Sequence, residues 1–171
     1  YDSRFRAAAR LLQALWRERR NLPEGHYTSA TGARRRLGSR LAADAARSGA
    51  NFLTPEIFGQ ARLDLAYLEP GALVDRERMH SNLLSSMPLA FNLLAPLKLD
   101  KKLAPRVFNQ LTPGLAKVIT HIQFEHSPGR GDATFTADGT AFDCFATARS
   151  PNGAKTFIAI EVKYSESLNE P

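Results

Sequence analysis

The chain of 171 residues predicts an α/β protein in α+β order, with N-terminal helices followed by a mixed/antiparallel sheet. Two observations predict it. Up to residue 112, apolar side chains recur at three- and four-residue steps between helix-capping signals; after Pro113 the period falls to two. The alternating stretches then follow one another without helices between them, which argues against repeated βαβ units. Residues 1–112 are expected to form a helical region, including a helix that packs on the sheet, and residues 113–171 a β-meander, the whole making one compact domain.

Phe5, Ala8, Ala9, Leu12, Leu15 and Trp16 mark one face of a first helix, which Leu22-Pro23 ends. Residues 25–32 have the small and polar composition of a loop. A second helix is expected over residues 33–48 with Gly49 closing it. Its Arg34, Arg35 and Arg36 would cross several helical faces, so at least one must point to solvent or a ligand. Thr54-Pro55-Glu56 resembles an N-cap with proline at the first helical position, opening a helix or irregular apolar segment to Tyr67. Glu69-Pro70-Gly71 is a turn. Asp75 caps a longer helix whose core face is Met79, Leu83, Leu84, Met87 and Phe91, with Pro88 expected to kink or split it. A short helix through Val107 and Phe108 to Leu111 is closed by Thr112-Pro113-Gly114. Strands are expected over 118–124, where Ile122 and Phe124 alternate with His121 and Gln123, and over 140–148 and 156–164.

With 43% hydrophobic residues the chain can bury a core, and its apolar runs stop short of the roughly 20 residues a membrane span needs. No signal-peptide pattern opens it. Cys144 is the single cysteine, which excludes an internal disulfide and a cysteine-based zinc site. Together these features point to a soluble, cytoplasmic protein in a reducing compartment. The formal net charge of +6 is concentrated at the start, where residues 1–50 carry eleven arginines against four acids. Such an excess suits a polyanion such as nucleic acid. A solvated helix face, or attachment to anionic lipid, would account for the same charge.

The polar residues that stand out in the alternating half are Asp143, Glu161 and Lys163. Glu161 and Lys163 share a strand face with Phe157 and Ala159, while Ile158, Ile160, Val162 and Tyr164 take the other, core-side face. A hairpin loop of odd length, residues 151–153, makes paired residue numbers sum to 304 and sets Asp143 opposite Glu161. A two-residue Asn152-Gly153 turn would set it opposite Val162 instead. The odd loop is the expectation. Two opposed carboxylates repel unless a cation bridges them or one keeps its proton, and a hard divalent ion, Mg²⁺ or Mn²⁺, is the economical solution. Lys163 could then orient or deprotonate a water and offset charge developing on a phosphate. The same spacing also fits an ordinary cross-strand cluster on a solvated face.

Asp143, eighteen residues before Glu161-Val162-Lys163, resembles the motif of the PD-(D/E)XK nuclease superfamily. Residues 81–93, 124–130, 141–143 and 160–164 look like a bacterial group within it, candidate restriction endonucleases, and the resemblance covers about residues 34–165. It implies a restriction-endonuclease-like helix on a mixed sheet, and a metal-dependent endonuclease hydrolysing DNA phosphodiester bonds. In that reading Asp143 and Glu161 are metal ligands and Lys163 is the catalytic lysine. Members of the superfamily bring a further acid; here Glu125, at a strand end, is the choice, also as a metal ligand, with Glu56 and Glu77 as weaker candidates and an exposed strand-end acid as the other reading of Glu125. Phe142 stands where the motif has proline. Only eight residues follow Lys163, whereas the superfamily core continues with a helix and a strand, so C-terminal elements are expected to be missing from this sequence.

Nucleic-acid contacts are expected from Arg34, Arg35, Arg36, Arg40, Arg130 and His126, gripping backbone rather than reading bases. DNA is the expected partner, with RNA the other candidate and no membrane; cutting both strands of a duplex suits a homodimer. A catalytically inactive nucleic-acid-binding module with a nuclease-like fold is the alternative function. His121 and His126, five apart, supply too few ligands for zinc and read as satisfied or exposed histidines. Gly129-Arg130-Gly131 lacks the Lys-Ser/Thr ending of a P-loop, and no Gly-x-Ser-x-Gly elbow occurs. Cys144 alternates to the face opposite Asp143, so nucleophilic catalysis has no support. Ser81, Asn82, Ser85 and Ser86 form a polar stripe on an otherwise apolar helix, read either as substrate contacts or as helix-to-sheet hydrogen bonds.

Overall fold

A computed structural model describes residues 2–29, 31–72, 74–135, 137 and 140–165. Its elements run α1 (Arg4–Arg19), β1 (Glu24–Thr28), β2 (Arg34–Leu41), α2 (Ala43–Arg47), α3 (Pro55–Ala66), α4 (Arg76–Ser81), α5 (Ser86–Leu99), α6 (Leu103–Leu111), β3 (Val118–His126), β4 (Phe142–Arg149) and β5 (Lys155–Ile160). The α+β class is as predicted. Among the described residues both sheets are antiparallel, a hairpin β1-β2 and the expected meander β3-β4-β5. No described helix is long and apolar enough to cross a membrane. The chain divides into two compact units, and the expected division at 112/113 falls within the second of them.

The first unit comprises Tyr1–Pro55, Asp75–Leu89 and Lys163–Pro171. Here the expected loop at 25–32 and helix at 33–48 are corrected: β1 and β2 form a hairpin, followed by the short α2. The period is two only over 37–41, where Ser39 and Leu41 are buried and Gly38 and Arg40 half-buried, while Arg34, Arg35 and Arg36 are all exposed. Gly38 shows why this segment is a strand. A Cβ there would stand 2.8 Å from Ala14 Cβ, so α1 lies directly on the strand backbone, and a helix would lose about 1 kcal/mol to that glycine. Gly49, with φ of 84°, follows Ser48, the C-cap of α2.

The buried face of α1 matches the expected one at Ala9 and Trp16 only. Ala9 and Arg17 are its buried residues, whereas Phe5, Leu12 and Leu15 are exposed. Arg17 is tolerated inside because its guanidinium donates to Gly38 O at 2.9 Å and Leu22 O at 2.7 Å. Leu41, Ala45, Ala46 and Leu83 form the apolar core beside it, flanked by Trp16, Leu22 and Ala50. Asp75 caps α4 as expected, accepting from Arg78 N at 2.9 Å. The predicted long helix is split into α4 and α5, but at Asn82, where the backbone turns extended, and not at Pro88. Pro88 sits in the first turn of α5, where a missing N–H costs little.

The second unit comprises Glu56–Val74 and Ala90–Val162. The β3-β4-β5 meander buries one face: Ile119, Ile122 and Phe124 from β3, Cys144, Ala146 and Ala148 from β4. Phe91 of α5 stacks on Phe124 with ring centroids 4.0 Å apart. Ala95 and Leu97 are buried on the same helix, whose Pro96 was not anticipated as a helical residue. Small residues on β4 allow close cover, and the alternation of buried and half-buried positions along it follows the pleat.

Candidate active site

The hairpin β4-β5 has the register that the sequence predicts: pairs from Arg149↔Lys155 to Cys144↔Ile160 all sum to 304. β5 ends at Ile160, so Glu161, Val162 and Lys163 lie just past it and not within it. The alternation nevertheless persists, with Val162 buried and Glu161 and Lys163 exposed. At this point the ladder is continued by a side chain. Asp143 Oδ2 accepts the Val162 N–H at 2.6 Å, a charge-assisted bond in place of the next backbone pair. Lys163 opens the Lys163–Pro171 segment of the first unit.

The other edge of β4 extends the row. Phe124 pairs with Cys144 and His126 with Phe142, which brings Glu125 into line with Asp143. Continued one step beyond Cys144↔Ile160 and across the gap between Phe124↔Cys144 and His126↔Phe142, the registers set Asp143 opposite Glu161 on one side and Glu125 on the other, although neither is itself a ladder pair. Glu125 has φ of 54°, a left-handed conformation that costs a non-glycine residue about 1 kcal/mol or more.

Its neighbours explain how the bend at Glu125 is held. Glu69 accepts from His126 Nδ1, from the Ser127 N–H at 3.3 Å and from Arg130 Nε at 3.5 Å. Arg130 also donates to Gly71 O at 3.3 Å and to Glu125 O at 3.4 Å. Burial works to raise the Glu69 pKa, but the hydrogen bonds from His126 and Ser127 outweigh it and hold the carboxyl below its ordinary value. Sequence reasoning read Glu69 only as part of a turn. Its role depends on meeting a loop 57 residues away, for which neither periodicity nor spacing gives a signal.

The other expected site residues are placed as follows. Arg34, Arg35 and Arg36 are exposed on β2, with Arg36 Nε 3.1 Å from Glu24. Arg40 is engaged with Glu77 at 3.1 Å and Ser81 at 3.2 Å. Glu77 is thus an arginine partner in the first unit, and Glu56 is an exposed residue in the first turn of α3. The serine stripe is used within the unit, Ser81 by Arg40 and Ser85 by Arg78. His121 is exposed, and His126 is bonded to Glu69. Cys144 is fully buried, and burial pushes its thiol up to about 12, which keeps it protonated and unreactive.

Whether these residues suit a metal follows from their donors. Among the described residues no three His, Cys, Asp or Glu side chains are grouped closely enough to hold an ion, so Glu125, Asp143 and Glu161 do not form a closed cage. Mg²⁺ does not require one, since one or two carboxylates commonly hold it while waters and substrate phosphates complete the shell. Asp143 and Glu161 supply hard oxygen donors of the kind that requirement asks for.

No curated protein and no solved structure matches the chain. One family model does, over residues 1–171, and its description is PD-(D/E)XK nuclease superfamily.

Proposed function

The chain belongs to the PD-(D/E)XK nuclease superfamily, and from that premise we propose that it is a metal-dependent endonuclease hydrolysing DNA phosphodiester bonds. What supports this most is the hairpin register: continued one step past Cys144↔Ile160 it sets Asp143 opposite Glu161, with Glu125 at the bend of the neighbouring strand. Asp143 and Glu161 would hold Mg²⁺, and Glu125 is the further acid. Bound there, the ion would polarise a phosphoryl oxygen and lower the pKa of a water.

The protein's own groups have separate tasks. The Val162 N–H fixes the Asp143 carboxylate, so its orientation is set before substrate arrives. Lys163, two residues beyond Glu161 and of the same parity, supplies the positive charge that offsets charge developing on the phosphate. Glu69 holds His126 and Arg130, the two residues that flank the bend next to Glu125. Arg34, Arg35 and Arg36, exposed on β2, bind phosphates of the backbone without reading bases.

Conversion of supercoiled plasmid to nicked and linear forms in Mg²⁺ or Mn²⁺, compared with Asp143→Ala and Lys163→Ala, tests the proposal. Loss of cleavage in both variants, with DNA binding retained, is the expected result. Equal cleavage by wild type and Lys163→Ala would remove the mechanism. DNA binding without metal-dependent cleavage by the wild type would instead favour an inactive binding module.

A further inference from the structure

The first unit contains a cavity of about 490 Å³ whose wall carries four arginines, Arg6, Arg10, Arg40 and Arg78, and, among the described residues, no carboxylate. We propose that this cavity binds the phosphate of a nucleotide, with Tyr27 against the base. The proposal rests on geometry within one unit and does not require the cleavage reaction.

The arginines are held in place, which distinguishes them from mobile surface cations. Arg10 Nη1 donates to Ser39 Oγ at 3.0 Å, and Ser39 is only 1% exposed. Arg10 Nε bonds Asp2 at 2.8 Å. The Arg40 side chain is 13% exposed, and its Nη1 bonds Glu77 and Ser81. Arg78 Nε donates to Ser85 Oγ at 3.0 Å. A guanidinium has five N–H donors, and among the described residues the bonds of Arg10 and Arg40 are made through Nε and Nη1, so that their Nη2 groups can take a ligand. Guanidinium forks match the oxygens of a phosphate, and the two carboxylates that pair with three of the arginines, Asp2 with Arg6 and Arg10 and Glu77 with Arg40, leave an excess of positive charge for an anion.

The rest of the wall selects among phosphates. Tyr27, 41% exposed, has the Arg40 guanidinium 5.6 Å from its ring centroid and presents its remaining exposed ring surface, with Leu37 and Leu84 as apolar neighbours. An aromatic face beside a phosphate site stacks a base. The volume falls within the roughly 300–1,000 Å³ of small-ligand sites, and so admits one nucleotide rather than a duplex. That nucleotide can be free, or it can be the 5′-phosphorylated end of a single strand.

Fluorescence anisotropy with the whole chain in EDTA separates the two sources and removes any contribution from cleavage. The probes are a short single-stranded oligonucleotide with a 5′-phosphate, the same strand with a 5′-hydroxyl, and unlabelled dAMP as competitor. The 5′-phosphate is expected to tighten binding about tenfold or more, the effect of one charge-assisted contact, if strand ends are the ligand. Competition by dAMP together with equal affinity for the two strand ends identifies the free nucleotide. Arg10→Gln and Arg6→Gln should each lose the effect, while Arg106→Gln, on the exposed face of α6, keeps it. Arg6 is half exposed and pairs with Asp2 at the surface, so its replacement tests the site even where Arg10→Gln disturbs the fold. Equal affinity for both strand ends with no competition by dAMP overturns the proposal, as does wild-type binding by Arg6→Gln and Arg10→Gln. Asp143→Ala should bind the probes as wild type does, so loss of cleavage and loss of this site are told apart.

Discussion

The carboxylate of Asp143 accepts the backbone N–H of Val162 at 2.6 Å, one step beyond the last residue of β5. This bond joins the two halves of the motif, Asp143 on β4 and the residues that follow Ile160. It also makes a single side chain serve both the fold and the proposed chemistry.

The two contributions separate by substitution. Asp143→Asn keeps an acceptor for Val162 and should lose less than about 1 kcal/mol, whereas Asp143→Ala should lose roughly 1.5–3 kcal/mol, the range for hydrogen bonds to charged groups. Both should reduce cleavage by about a hundredfold or more, since each removes a charge from the proposed metal site. Urea denaturation and a plasmid assay on the same preparations check the split.

Glu69 predicts a pH dependence of stability. Its carboxyl is held below the ordinary value of 4.5 in the folded protein. The folded state therefore gains stability above the unfolded pKa, and loses it as pH falls through the depressed folded value. Wild type should be more stable than Glu69→Gln at pH 7, and the two denaturation midpoints should converge as the pH is lowered below about 4.5. A constant difference down to pH 3 would contradict the role of the charge.

Much of the meander was legible because a sheet with one buried face writes itself as alternation. Ile122 and Phe124 against His121 and Gln123 placed β3, and the odd loop after Ser150 gave the register of β4-β5. The N-terminal half was less legible. Arg34, Arg35 and Arg36 carry no alternation, and the helix-like composition of residues 33–48 outweighed the signal of Gly38, whose reason is the close approach of Ala14. The α1 face was misread because Arg17, a residue normally kept in solvent, is buried on two backbone carbonyls. Around the site, the odd loop predicted the register of the hairpin that carries Asp143, while the Glu69 cluster, built from a contact between distant loops, was beyond reach.

Gly129 marks the loop next to that cluster. Its φ is 67°, and an added Cβ would stand 2.1 Å from the Phe135 ring. Gly129→Ala should therefore destabilise the protein by about 1–3 kcal/mol through left-handed strain and the clash together. Thermal unfolding compared with Gly131→Ala, where nothing lies within 4 Å of the added carbon, isolates the clash from the strain.

Cys144 gives a test of the β4 core face. Its thiol is buried and pushed up to about 12, so a thiol reagent at pH 8 should react only with unfolded protein. Rapid labelling of the native protein would show that β4 does not bury this residue.

The central claim is tested most directly by the Mg²⁺ dependence of supercoiled plasmid cleavage for wild type and Glu161→Gln. The account predicts no cleavage by wild type in EDTA, saturation with Mg²⁺, and a rate at least about a hundredfold lower for Glu161→Gln at the same Mg²⁺ concentration. Identical Mg²⁺ curves for the two proteins would contradict it.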